Sequence, residues 1–392
     1  MRPAPSPASG RSSRSTRRTS SDTRSSRSAD PPAWLRAGLQ QAAEWTALGF
    51  NGMRSALFFA ESVPLSWLQQ PGGRAKRTAA PSRQALEITL ARLRSLLEQD
   101  ARAIGRGVIP ISVLAPRDPL GHGARFVRIL GDVRSVVARR DRRLAREFGA
   151  RAERLLEELP AYYRRNFHYQ TDGYLSERSA ELYEHQVELL FRGGADAMRR
   201  LIVPPLRAHF GEQHDGRGLR LLELGSGTGS ATHAVARAFP QAKLCCVDLS
   251  LPYARHARRQ LAAYERVECL QGDAAALDFA AGRFDAVYSV FLFHELPLPV
   301  REQVLAESRR MLKPGGFFGL VDSLQKSDDP ELDWALDFFP RAFHEPYYAH
   351  YASHPMERLI EEAGFESLTR GTGYLAKWIA ARAGINPPNS PD

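Results

Sequence analysis

Residues 219–232, LRLLELGSGTGSAT, decide how the rest of the chain is read. Leu219 to Leu224 is a mostly apolar run of strand length, ended by Gly225; Gly227 and Gly229 follow, and Ala231 to Phe239 has helical composition. Strand, glycine turn and helix form the opening unit of a doubly wound α/β sheet, whose ligands sit beyond the carboxyl ends of the strands. Glycines there let the main chain approach a ligand closely, and the helix that follows offers free amides. A dinucleotide fingerprint begins the same way, but it needs Gly or Ala three residues after its second Gly, where this chain has Ser230.

The pattern continues downstream. Lys243 to Val247 is a second strand ending in Asp248, nineteen residues after Gly229; a third, Val267 to Leu270, leads into Gly272-Asp273-Ala274; a fourth, Phe284 to Val290, leads into Phe291 to Leu296. A helix over Val300–Leu312, the turn Lys313-Pro314-Gly315-Gly316 and a strand over Phe317–Val321 follow, then a helix over Pro355–Ala363 and two last strands, Phe365–Arg370 and Tyr374–Ala381. This predicts a seven-stranded, mostly parallel sheet with an antiparallel final hairpin, behind a helical N-terminal region.

In motif order and spacing, Leu219 to about Ala381 resembles the class I S-adenosylmethionine-dependent methyltransferases, a Rossmann-like fold. Residues 221–232 look like that family's first motif. Arg310 to Gly316 is similar to the turn of its quinone-precursor and other small-molecule members, the type 11-like domains. The resemblance implies S-adenosyl-L-methionine as cofactor, held by Glu223, Gly225, Ser226, Gly227 and Gly229, by Asp248 and Leu249, by Asp273 and Ala274, and by Ser289. Asp248 would accept from the ribose hydroxyls and Asp273 from the adenine amino group. His294, just past the fourth strand, is the candidate general base; the competing reading is that it shapes the pocket or helps hold the adenosine. Glu295 reads as structural or exposed.

Two aromatic stretches stand apart. Asp322 to His354 is a long insertion carrying Trp334, Phe338, Phe339, Phe343, Tyr347, Tyr348 and Tyr351, and Tyr162 to Ser176 mixes aromatics with His168, Gln170 and Asp172. Long loops are commonly functional. The two are expected to close over the substrate, with Tyr174, Phe339 and Tyr348 lining it; packing against the N-terminal helices is the alternative.

At 392 residues and 43% hydrophobic content, the chain has room for a second unit. The expected division is a Ser/Arg-rich disordered tail over 1–30, a helical region over 31–200, the methyltransferase domain over 201–385 and a disordered end over 386–392. Pro31 to Gly73 reads as one or two apolar stretches forming a helical hairpin, with a membrane-interface element as the alternative. Ser82 is a candidate cap for a helix striped by Leu86, Leu90, Leu93 and Leu97, and Arg125 to Glu158 is an arginine-dense helical run with a solvated face. The tail carries +5 of the formal +10, so the charge is no argument for nucleic acid. An organelle transit peptide is its other reading.

Three cysteines suggest no disulfide framework and no metal ligand set; a reducing, cytoplasmic setting fits, with peripheral membrane contact left open. The expected function is methylation of a small, partly apolar molecule. Its competitors are a nucleic-acid or protein methyltransferase and a non-catalytic cofactor-binding module. Against the first, Ser289 to His294 lacks the Asn/Asp-Pro-Pro-aromatic signature of amino-group nucleic-acid methylation. The oligomeric state is not legible.

Overall fold

The computed structural model describes residues 32–68 and 82–385; the expected tails, and the Pro71-Gly72-Gly73 turn, lie outside them. Strands β1 (Arg220–Leu224), β2 (Lys243–Asp248), β3 (Val267–Gln271), β4 (Phe284–Val290), β5 (Leu312–Ser323), β6 (Phe365–Gly373) and β7 (Ala376–Ala383) form one sheet in the order β3-β2-β1-β4-β5-β7-β6. Both antiparallel pairings in this sheet are made by β7, with β5 and β6, so the doubly wound fold with a final hairpin is what the chain adopts. β5 starts five residues earlier than expected. Leu312 pairs with Phe284 before the Lys313–Gly316 turn breaks the register, and Phe317 resumes it against Ala286.

Both faces of the sheet are covered, so successive strand residues are buried alike: Leu221 and Leu222 are each fully buried, in different cores. One core includes α10 (Leu298–Met311) and α13 (Met356–Glu362). The other takes in Leu93, Leu96, Leu97 and Ile104 of helix α2 (Arg83–Gly105), together with Leu206, Val235, Tyr288, Phe317 and Ala380. The helical region and the sheet therefore share one core.

Ser82 caps α2 by accepting from the Ala85 amide at 3.1 Å, as expected. Its leucine stripe is buried only in its second half, Leu86 and Leu90 being more than a third exposed. The segment before it is a single helix, α1 (Ala33–Leu68), not a hairpin. Pro64 falls close enough to its end that the lost hydrogen bond does not break it. α1 packs instead along α2, where Asn51 donates to Asp100 at 2.8 Å and Arg200 clamps the same carboxylate with two bonds of 2.7 Å. Its other face leaves Trp34, Trp45 and Met53 exposed.

The arginine-dense run is two helices, α3 (His122–Arg142) and α4 (Ala150–Leu156), separated at Arg143 in the left-handed region. Arg139 is the exception to its solvated face, buried and donating to Tyr169 O and Thr171 Oγ1. After α5 (Glu177–Leu190) come α6 (Ala195–Arg199) and α7 (Val203–Phe210), broken at residues 200–202. The break precedes Pro204-Pro205 because prolines are accommodated in the first turn of the following helix, where no amide bond is lost.

Leu96 lies in α2, 1% exposed, far from the strands in sequence and part of their core. Leu96→Ala should destabilise the whole protein by about 2 to 5 kcal/mol. Urea unfolding followed by sheet and tryptophan signals together checks it; unfolding of the helices alone would show separate cores.

Candidate active site

β1 and β2 pair in parallel with Leu224 opposite Val247, so the turn after β1 and the last residue of β2 leave the sheet side by side. Gly225, Gly227 and Gly229 have φ of 66°, 54° and 84°, a backbone conformation that side chains disfavour. The Gly227 amide donates to Asp248 Oδ2 at 2.7 Å and the Ser250 amide to Oδ1 at 2.8 Å. Burial pushes the Asp248 carboxyl up to about 6 against the pull of these amides. Beneath the turn, Glu223 accepts from the hydroxyls of Tyr288, at 3.0 Å, and Thr232, tying β1 to β4 and to α8 (Ser230–Ala238). Burial raises its pKa to about 7.

Two adjoining cavities of about 70 and 80 Å³ lie over this turn and share Gly225, Gly227, Phe291 and Glu295. Asp248, Leu249, Asp273 and Ala274 line the first; Glu223, Ser226, His168, His294 and Phe339 line the second. Of the residues expected to hold a cofactor, Gly229 and Ser289 stand outside both linings. Ser289 is fully buried, its hydroxyl bound to Leu224 O at 3.1 Å, and Gly229 packs on Leu261 too closely for a Cβ.

The two aromatic stretches meet above. The His168 amide donates to His344 O at 3.2 Å, the His168 ring lies edge-on to Phe339 and Phe343, and the Tyr347 hydroxyl reaches Tyr162 O at 3.4 Å. Phe339 is at the cavity wall. Tyr174 is buried and donates to Glu295 Oε1 at 2.5 Å. Tyr348 packs behind the wall with Leu332 and Leu336, its hydroxyl 2.6 Å from Ser323 Oγ.

At the centre two imidazoles converge on one carboxylate. His294 Nδ1 lies 2.6 Å from Asp322 Oδ1 and its Nε2 3.9 Å from Glu295; His168 Nδ1 lies 2.9 Å from Glu345 and its Nε2 3.6 Å from Glu295. Burial opposes charge on both rings, but the carboxylates outweigh it, pushing His168 up to about 10 and His294 up to about 9. Phe291, His168, Tyr169 and Asp172 have φ between 54° and 62°, strained backbone on both sides of the cavity. The sequence had pointed to His168 and His294 but read Glu295 as structural or exposed, and it missed Asp322 and Glu345. Asp322, at the carboxyl end of β5, had the same positional signal as Asp248; Glu345 had none.

A methyltransferase domain model matches residues 221–316. The fatty-acid O-methyltransferase of Mycolicibacterium smegmatis is 36% identical over 32% of this chain and 44% of its own length. The malonyl-acyl carrier protein O-methyltransferase of Geobacter sulfurreducens is 31% identical over 38% and 56%. The chain thus spans about half the length of these two. The demethylmenaquinone methyltransferase of Renibacterium salmoninarum is 31% identical over 51% of this chain and 78% of its own. The chain belongs to the class I S-adenosylmethionine-dependent methyltransferases. Among solved structures, the CurJ carbon methyltransferase aligns with 89% of this chain at 16% identity and a TM-score of 0.43.

The residues around the glycine turn fit the cofactor of that family, S-adenosylmethionine. A Cβ at Gly227 would meet nothing within 4 Å, so the turn faces open space there; among the described residues the buried Ser230 hydroxyl has no hydrogen-bond partner, and Asp248 and Asp273 offer acceptors on one side.

Asp248→Ala should weaken binding of the demethylated cofactor about ten- to a hundredfold, the cost of losing bonds to a charged acceptor; calorimetry showing unchanged affinity would remove Asp248 from the site. His168 predicts a pH effect. Its folded pKa is raised from 6.5 to about 10, so its contribution to stability is full below about 6.5 and is lost as pH rises through 10. Wild-type melting temperature should fall across that window more steeply than that of His168→Gln.

Proposed function

We propose that this chain transfers the methyl group of S-adenosylmethionine to a small, partly apolar acceptor, and that His294 takes the acceptor's proton. The observation that carries this reading is the convergence of His294, His168 and Glu295 on a cavity that adjoins the glycine turn and is walled by Phe339 and Phe291. When bound, S-adenosylmethionine supplies an electrophilic methyl on a positive sulfur; the chain's part is to orient, exclude water and manage one proton. Orientation can supply about 7 to 11 kcal/mol of barrier lowering and a positioned base a further 10²- to 10⁴-fold.

Asp322 holds His294 Nδ1 and leaves Nε2 turned toward Glu295 and the cavity, the nitrogen through which a proton would pass. The aromatic wall suits an apolar body on the acceptor and the sulfonium charge alike. The names of the relatives, a fatty-acid and a demethylmenaquinone methyltransferase, agree with such an acceptor. A nucleic-acid substrate is disfavoured by the carboxylates Glu295, Asp322 and Glu345, which would repel phosphate.

Incubation with methyl-labelled cofactor and a panel of fatty acids and hydroquinones should move label into the solvent-extractable fraction. Label in protein or nucleic acid would favour the competing substrate class. With the acceptor so found, kcat should rise with pH through about 9 as His294 loses its proton. Asp322→Asn should move that limb down toward 6.5. His294→Gln should cost about 10²- to 10⁴-fold in kcat with cofactor affinity unchanged. A rate independent of pH from 7 to 10, or unchanged in His294→Gln, would reject the base.

A further inference from the structure

Away from the cofactor turn, three helices of the N-terminal half bring Glu61 of α1, His122 at the start of α3 and His185 of α5 to one point. His122 Nε2 is 2.7 Å from one Glu61 oxygen and His185 Nε2 2.9 Å from the other, and the imidazole centroids are 4.5 Å apart. All three groups offer ligand atoms within 4.8 Å of one another. Phe58 and Phe126 pack against the rings, an apolar shell of the kind that surrounds metal centres. His185 is 3% exposed, so its ring nitrogen faces the cluster and not bulk solvent.

Charge singles out Glu61. His122 and His185 stand in the wall of a cavity of about 680 Å³ between the helical region and α8, and its lining carboxylates are matched to arginines: Asp118 to Arg125, Glu181 to Arg128, Glu184 to Arg199, Glu188 and Asp196 to Arg54. Glu61, its side chain 12% exposed, has only the two imidazoles among the described residues. A mostly buried carboxylate without a cation is costly.

We propose that Glu61, His122 and His185 hold a divalent transition-metal ion of the zinc type, with its remaining coordination position open to the cavity. Two histidines and a glutamate are an established zinc ligand set that leaves a place for water or substrate. Bonds of about 2.0–2.2 Å place tetrahedral ligand atoms about 3.3 Å apart, so the observed 2.7 and 2.9 Å need open by only about half an ångström. The site is independent of the methyl-transfer reading. No short spacing in the sequence announces it, because each ligand comes from a different helix.

The test uses the full, untagged chain, stripped with a chelator and titrated with zinc chloride by calorimetry, with cobalt chloride as an optical probe. One ion per chain and tetrahedral cobalt absorption bands are expected. Glu61→Gln and His185→Gln should each lower affinity about a hundredfold or more while circular dichroism stays native. His122→Asn, at the partly exposed position, serves if either fails to fold. His168→Gln, in the second His/Glu cluster beside the cofactor turn, should leave the titration unchanged. Absence of binding to folded wild type, binding indifferent to the Glu61, His122 and His185 variants, or binding abolished by His168→Gln would each overturn the proposal.

Discussion

A carboxylate buried at the end of a parallel strand has to find donors, and here that requirement organises the site. Asp248 meets it with the amides of Gly227 and Ser250, which fixes the height of the glycine turn and the start of the helix after β2. Glu223 meets it through Thr232 and Tyr288, locking the turn's own strand to β4 and α8. Asp322 does the same at β5, taking the Phe293 amide at 2.8 Å as well as His294. Three acids at the carboxyl edge of one sheet thus set the positions of the loop, the helix and the imidazole that face the cavity.

The sheet was legible because its signals are local: apolar runs of strand length, glycines where positive φ is needed, and an acid at each decisive strand end. The centre of the active site was less so. Glu295 touches His168, more than a hundred residues earlier, and Glu345 reaches the same ring from the aromatic insertion. Nothing in the neighbourhood of either acid records that meeting, which the fold makes by bringing two loops over one edge. Helix ends were misjudged for a similar reason. α1 is continuous because α2 lies along it, and Leu86 and Leu90 extend past the core their stripe suggested.

The N-terminal half contributes to the cavity as well as to the core. Tyr174 and His168 come from the loop before α5, Glu184 on α5 accepts from the Thr228 hydroxyl in the glycine turn, and Ser250 donates to Tyr174 O at 2.5 Å. Segments outside the 221–316 match therefore supply much of what covers the crevice over the glycine turn.

The single core shared by α2 and the sheet also sets a schedule for synthesis. Leu93 and Leu96 leave the ribosome nearly three hundred residues before Ala376 and Ala380, with which they are finally enclosed. At ordinary elongation rates that interval is roughly 15 to 60 s. During it, the α2 stripe gains partners in chain order, from Val108 and Ile109 through Met198 and Leu206 to Val235, before the last strand closes over it. The α2 face that carries Leu93 and Leu96 is thus completed only when the last strand has been made.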